Sequence, residues 1–281
     1  YLREEVGGFL VGGFELEPTA IGLPISGRIL MGQDGRDEDL EDVIARIQMA
    51  GRVGFAVMTW NFTALRASEG YAAQEGVGRG GAHLRDFDHA RIRDLPPLDD
   101  VGRHEMEAMW GRLEYCLQRI VPAAEAVGVR LAMHPNDPPV PEYRGVAQPL
   151  WNMESMKRLI EIVDSPANSL FFDTGVMTEY GEDAVEAIRY FGERDRIGIV
   201  HFRNVRVEQP YYKYTETFLD EGECDIVGCM RAFAEVGYEG GIDPDHTPGI
   251  VGDTEETQMG WAYAVGQLRA LRLAAYGGKS S

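Results

Sequence analysis

Six short, apolar, β-rich runs alternate with six stretches of helical periodicity, and this alternation constrains the fold more than any other feature of the chain. The runs are Phe14–Ile21, Phe55–Asn61, Val129–Pro135, Ser169–Gly175, Ile197–Val205 and Gly240–Asp245. Helical patterns cover 38–50, 103–127, 153–164, 182–193, 225–236 and 256–274, with Asp37, Asn152 and Asp225 placed as N-caps. Such alternation implies parallel strands joined by helical crossovers. A length of 281 residues suits one (β/α)₈ barrel, and no repeat, charge block or low-complexity linker divides the chain, so residues 1–281 read as a single domain. Six strands are two short of closure. The deficit lies at the start, where Leu2–Val6 reads as the end of a helix and Gly7-Gly8 and Gly12-Gly13 punctuate the chain. The expectation is an α/β TIM barrel lacking its first one or two strands.

Long polar segments at 62–101, 136–151 and 206–223 follow strands rather than helices. In a parallel barrel those segments build the active site. The glycine-rich stretch Gly76-Val77-Gly78-Arg79-Gly80-Gly81 has no strand–turn–helix around it and is not read as a nucleotide loop. A net charge of −19 repels nucleic acid and anionic membranes, so the expected partner is a small molecule. An anionic substrate would have to be met locally, by a metal or by arginines. Three cysteines at irregular spacing, with no CxxC pair, argue against a disulfide framework or a zinc ribbon, and Cys116 reads as core. With no signal peptide and no run of 18 apolar residues, the expected setting is a reducing cytoplasm, and the expected state a homo-oligomer.

Four strands end in candidate metal ligands. His134 opens His134-Pro135-Asn136-Asp137-Pro138-Pro139, and Asp173 lies in Phe172-Asp173-Thr174-Gly175. His201 lies in Val200-His201-Phe202-Arg203-Asn204, and Asp245 in Asp243-Pro244-Asp245-His246. Successive ligands are separated by roughly one βα unit, about 30 residues or more, so each comes from the next strand and all face the barrel mouth. Two imidazoles and two carboxylates suit Mn²⁺, Mg²⁺, Fe²⁺ or Zn²⁺, and the carboxylate share favours Mn²⁺ or Mg²⁺.

These residues also carry a family resemblance. The chain resembles the mannonate dehydratases of the metal-dependent barrel type. The matching runs are Leu23-Pro24-Ile25-Ser26, Trp60-Asn61-Phe62, Gly78-Arg79-Gly80-Gly81-Ala82, the His134 to Pro139 run, Val200 to Val205, Glu216-Thr217-Phe218 with Gly222 and Asp225, and Pro244-Asp245-His246. The resemblance implies that the six strands are numbers three to eight of the barrel. It also implies that His134, His201 and Asp245 bind metal and that His246 is a catalytic acid/base. The family's fourth ligand is a cysteine. Here that position is Asp173, which keeps the charge and hardens the site. The arginine before the Pro-Asp-His run is Asp243, the usual His-Pro-Asp-Asp reads His134-Pro135-Asn136-Asp137, and the catalytic tyrosine has no counterpart in 251–258. Tyr263 lies in the final helix, where it reads as packing.

Dehydrating a sugar acid requires a metal as Lewis acid, a base for the C2 proton and an acid for the departing C3 hydroxyl. His246 is the expected acid/base. Arg203, two residues after His201 and read on the same strand face, is expected to hold the substrate carboxylate. Asn61, Arg79, Asp137 and Lys213 are further expected substrate contacts, with Glu216 assisting, whereas His83, His89 and His104 receive no chemistry. A xylose-isomerase-like sugar isomerase or epimerase shares the Phe172-Asp173-Thr174-Gly175 strand end and the enediolate chemistry. A barrel that binds sugar without catalysis is the third possibility.

Overall fold

The computed structural model describes residues 20–255 and 257–277. Leu2–Val6, the glycine pairs and most of the first expected strand lie outside the described residues. The strands are β1 (Ala20–Gly22), β2 (Val57–Trp60), β3 (Tyr71–Gln74), β4 (Leu84–Asp88), β5 (Arg130–Met133), β6 (Glu142–Tyr143), β7 (Val146–Ala147), β8 (Asn168–Asp173), β9 (Ile197–His201), β10 (Asn204–Gln209), β11 (Lys213–Thr217) and β12 (Ile242–Asp243). The α-helices are α1 (Gly27–Met31), α2 (Arg36–Arg52), α3 (Met106–Ala126), α4 (Met153–Ile162), α5 (Thr174–Glu179), α6 (Ala184–Gly192), α7 (Ile226–Glu235) and α8 (Gln258–Ala275).

Strands β1, β2, β5, β8, β9 and β12 form one curled parallel sheet in chain order, as a (β/α)₈ barrel requires. Both faces are buried, which is why these strands read as continuous apolar runs. On the outer face Met58, Leu131, Leu170, Phe172 and Val200 pack against the helices. On the inner face Ala20, Val57, Ala132 and Ile199 meet Phe171. Asn152 begins α4 with a capping box to Ser155, and Asp225 caps α7 through the Gly228 amide. The N-cap of α2 is Gly35, not Asp37, which sits in the first turn and complements the helix dipole there.

The segment read as one strand from Ile197 to Val205 is two. β9 stops at His201, and β10 starts at Asn204 in a different sheet. Arg203 therefore lies in the junction rather than on the strand. The segments read as polar loops also hold structure. An antiparallel sheet, ordered β10-β11-β4-β3, is built from them and brings residues of both long insertions to the barrel mouth. Its own core contains Phe87, Val205 and Tyr214, joined by Tyr143.

One irregularity aims the site. Ile197 pairs with Leu170, but the next pair is Ile199 with Phe171, so Gly198 is an extra residue in β9. Ile197 and Val200 belong to the outer core and Ile199 to the inner one. Simple alternation from Ile197 would send His201 outward; the bulge returns it to the inner face. A Cβ on Gly198 would lie 2.6 Å from Ser169 Oγ and 2.9 Å from the Ala132 Cβ, so the bulge needs glycine. Gly198→Val should lower stability by about 1–3 kcal/mol by overpacking, even though valine is the better strand former. Urea denaturation of the two proteins measures it, and equal midpoints would contradict the bulge argument.

Candidate metal centre and active site

Each of the three strand ends β5, β8 and β9 delivers one donor to the same point. His134 follows β5, and its Nδ1 donates to the Pro135 carbonyl at 2.7 Å. A carbonyl only accepts, so the proton is on Nδ1 and Nε2 is left with a lone pair. That Nε2 lies 3.1 Å from His201 Nδ1. Asp173 Oδ2 lies 3.6 Å from both nitrogens. The point equidistant from these three atoms is about 2.0 Å from each, the bond length of Mg²⁺ or Zn²⁺ to oxygen or nitrogen. The residues thus fit a divalent ion. His134, Asp173 and His201 are the one such group among the described residues. Phe171 forms an apolar floor, its ring 3.9 Å from the centre of the His201 ring.

Asp245 approaches from the other edge of His201, with Oδ1 3.6 Å from Nε2. It has a φ of 61°, a left-handed conformation that aspartate tolerates better than most residues. Asp243 stabilises this turn by accepting the Asp245 N–H at 2.7 Å. The left-handed residue turns the chain so that Asp245 and its neighbour His246 both line the cavity. Burial alone would raise the Asp245 carboxyl, but His201, His246 and Arg203 hold it far below the usual range.

Arg203 is the buried cation of the site, 2% exposed. Its Nε meets Asp173 Oδ2 at 2.9 Å, one terminal nitrogen meets Glu179 Oε1 at 2.7 Å, and the other meets Asp137 Oδ2 at 2.7 Å. Every edge of the guanidinium is thus occupied by protein. A Cβ on Gly175 would lie 2.7 Å from Arg203 Cγ, so the Asp173-Thr174-Gly175 run leaves space for this side chain. The Thr174 hydroxyl fixes the Arg203 backbone, donating to its carbonyl at 2.7 Å and accepting from its N–H at 3.0 Å. Burial acts against the Asp173 carboxylate, yet Arg203 and the two imidazoles hold its pKa well below the usual range. Glu179 differs: burial outweighs Arg203 and pushes it well above the usual range, and its Oε2 has no partner.

His246 Nδ1 lies 3.3 Å from Glu216 Oε2, and its Nε2 is 2.9 Å from an Arg85 nitrogen and 3.0 Å from Asp245 Oδ2. Burial lowers its pKa, but Glu216 and Asp245 outweigh that and raise it. Arg85 is itself paired to Glu216, with its Nε at 2.7 Å. Asp137 accepts from Tyr71 at 2.5 Å and from Tyr214 at 3.2 Å. The cavity above these groups measures about 770 Å³, and Asn61, Arg66, Tyr71, Arg85 and Asp137 contribute to its wall.

Two expected substrate contacts are elsewhere. Arg79 forks onto Asp220 at 2.9 and 3.0 Å and lies over Phe218 and Tyr263. Lys213 pairs with Glu208 at 2.6 Å. Neither lines the cavity. Tyr263 joins the Arg79–Asp220 group, away from the metal donors. Sequence reading missed Tyr71, Arg85 and Glu179. Leu84-Arg85-Asp86-Phe87-Asp88 does not alternate apolar with polar residues, so this strand carried no period-two sign in the sequence.

The family model for D-mannonate dehydratase (UxuA) matches residues 98–275. Mannonate dehydratase 1 of Bacillus licheniformis is 28% identical over 268 residues, covering 83% of this chain and 71% of that protein. Mannonate dehydratase 1 of Halalkalibacterium halodurans is 34% identical over 159 residues; the match covers 56% of this chain and 43% of the relative. The crystal structure of mannonate dehydratase from Streptococcus suis superimposes with a TM-score of 0.82 at 25% identity, covering 95% of this chain and 79% of that one. A xylose isomerase domain protein from Planctomyces limnophilus matches at a TM-score of 0.56 and 15% identity over 93% of this chain and 78% of that one, a likeness of fold alone.

The carboxylate shell makes Arg203 a stability determinant. Arg203→Met leaves Asp173, Asp137 and Glu179 buried without their cation and should cost about 3–5 kcal/mol in urea denaturation. Without that guanidinium, burial raises Asp173 in the folded chain above its unfolded value, so its contribution to the variant's stability rises as pH falls. The parent instead loses the contribution of Asp173 as pH falls. The gap between the two should therefore narrow toward acid. A gap that is absent, or that widens toward acid, would contradict this reading.

Proposed function

Because the chain belongs to the D-mannonate dehydratase (UxuA) family, we propose that it is a metal-dependent hydro-lyase that removes water from D-mannonate to give 2-keto-3-deoxygluconate. The observation that carries this reading is the convergence of His134 Nε2, Asp173 Oδ2 and His201 Nδ1 beside His246 in one cavity. These three residues would hold the ion, and Asp245 lies against the opposite, Nε2 edge of His201. Mn²⁺ suits the two-imidazole, carboxylate-rich donors best, and Mg²⁺, Fe²⁺ or Zn²⁺ would bind the same atoms. When bound, the ion supplies Lewis acidity that draws negative charge from the substrate carboxylate and its neighbouring hydroxyl.

The chain's own residues do the rest. The Glu216 carboxylate, 3.3 Å from Nδ1, favours the ring proton on that nitrogen, so His246 presents the Nε2 lone pair as base for the C2 proton. Asp245 Oδ2, 3.0 Å from that nitrogen, stabilises the imidazolium once the proton arrives. Arg203 does not reach the substrate as a free fork; it holds Asp173 and Asp137 in place and keeps Asp173 ionised. Asn61 and Asp137 offer polar contacts to sugar hydroxyls. Arg66, which lines the cavity, meets the anionic substrate at the wall.

The purified protein, given D-mannonate and Mn²⁺, should release one keto acid per turnover, detected by mass as the loss of water. A chelator should stop the reaction and added Mn²⁺ restore it, while His134→Ala and His201→Ala should lower both bound metal and rate. A product isomeric with the substrate, or no product from folded protein with any of the four ions, would overturn the assignment.

A further inference from the structure

Eliminating water takes two proton transfers, one away from C2 and one to the oxygen leaving C3. His246 accounts for the first. On the cavity wall the donor for the second is narrowed by what each group already does. His134 and His201 would hold the ion, and Asp245 pairs with His246. Asp137 is an acceptor held by Arg203 and two phenols. Arg66 and Arg85 do not give up protons near neutral pH. The aliphatic hydroxyls of Thr59, Thr63 and Ser68 are weaker acids than a phenol. Tyr71 remains, its phenol lining the cavity.

We propose, resting on the dehydratase reading, that Tyr71 is the general acid that protonates the departing 3-hydroxyl, positioned by Asp137 and Tyr214. Its hydroxyl lies 2.5 Å from Asp137 Oδ1 and 2.7 Å from the Tyr214 hydroxyl. Tyr214 is fully buried, and its hydroxyl, 2.7 Å away, can turn from Asp137 to donate into the Tyr71 oxygen, so the phenolate left after transfer is met by a neighbouring donor. The Arg85 guanidinium stands 4.3 Å from the centre of the Tyr71 ring, while one of its nitrogens is 2.9 Å from His246 Nε2. Base and acid therefore flank one cation. Burial pushes the phenol well above its ordinary range, aided by Asp137, so it enters each cycle carrying its proton.

The step balances. The C2–H bond breaks and its proton goes to His246 Nε2. The electron pair forms the C2–C3 double bond, and the C3–O bond breaks. The leaving oxygen takes the Tyr71 proton and departs as water. The enol then becomes the keto acid by proton exchange, and solvent returns the proton from His246 to Tyr71.

Tyr71→Phe tests the assignment, since the ring keeps its packing 5.2 Å from Phe87. Two substrates are compared with the Mn²⁺-loaded protein: D-mannonate, and its 3-deoxy-3-fluoro analogue, whose fluoride leaves without needing a proton. Turnover of D-mannonate should fall by roughly 10²-fold or more. Fluoride release should stay within a few-fold of the parent, and exchange of the C2 hydrogen in heavy water should persist. Equal losses on both substrates would assign Tyr71 a merely structural part and overturn the proposal, as would unchanged turnover of D-mannonate. If the parent eliminates neither water nor fluoride, the dehydratase reading fails first and this assignment falls with it.

Discussion

The Arg203 guanidinium organises the centre of this molecule. One buried cation touches Asp173 from the end of β8, Glu179 from the end of α5 and Asp137 from the segment after β5, with Asp245 Oδ2 at 3.4 Å and Glu216 Oε1 at 3.8 Å. Desolvating so many charges is expensive, and one arginine cannot neutralise them all. The two extremes show this directly. Asp173 is held ionised, while Glu179 is pushed toward its neutral form by burial. The charge left over lies beside His134 and His201, where a divalent cation would offset it. Stability and metal affinity are thus set by the same ionic cluster.

Backbone irregularities then decide which atoms reach that cluster. The Gly198 bulge rotates His201 onto the inner face of the barrel, and the left-handed Asp245 turns two neighbouring side chains into one cavity. Neither is favourable locally. Each is maintained by packing around it, Ser169 and Ala132 against Gly198, and the Asp243 carboxylate on the Asp245 amide. The antiparallel cap sheet adds what the barrel lacks. Through Tyr71, Arg85, Tyr214 and Glu216 it encloses the mouth with proton donors and counterions from segments distant in sequence.

The barrel was legible in the sequence because its strands are buried on both faces and its helices on one, so periodicity tracks burial. Asn152 and Asp225 were legible as caps for an equally local reason. His134, Asp173 and His201 stood out because each ends a strand in a chain where successive strands are neighbours. What escaped was long-range or irregular. Arg85 meets a carboxylate 131 residues away and Tyr71 one 66 residues away, and no local pattern encodes either pair. The break between His201 and Asn204 was hidden because the two strands are separated by only Phe202 and Arg203, with no glycine or proline to mark a turn. Arg203 was legible as a site residue but not in its surroundings. A free arginine near a metal suggests a substrate clamp, whereas three carboxylates converging from separate segments make it a structural counterion.

The account rests on His134, Asp173 and His201 holding one ion at a common point. Anomalous diffraction at the manganese edge from Mn²⁺-soaked crystals tests that most directly. The account predicts a single strong peak per chain, about 2.0–2.2 Å from His134 Nε2, from an Asp173 oxygen and from a His201 ring nitrogen. A peak bound by other residues, or none at saturating Mn²⁺, would contradict it.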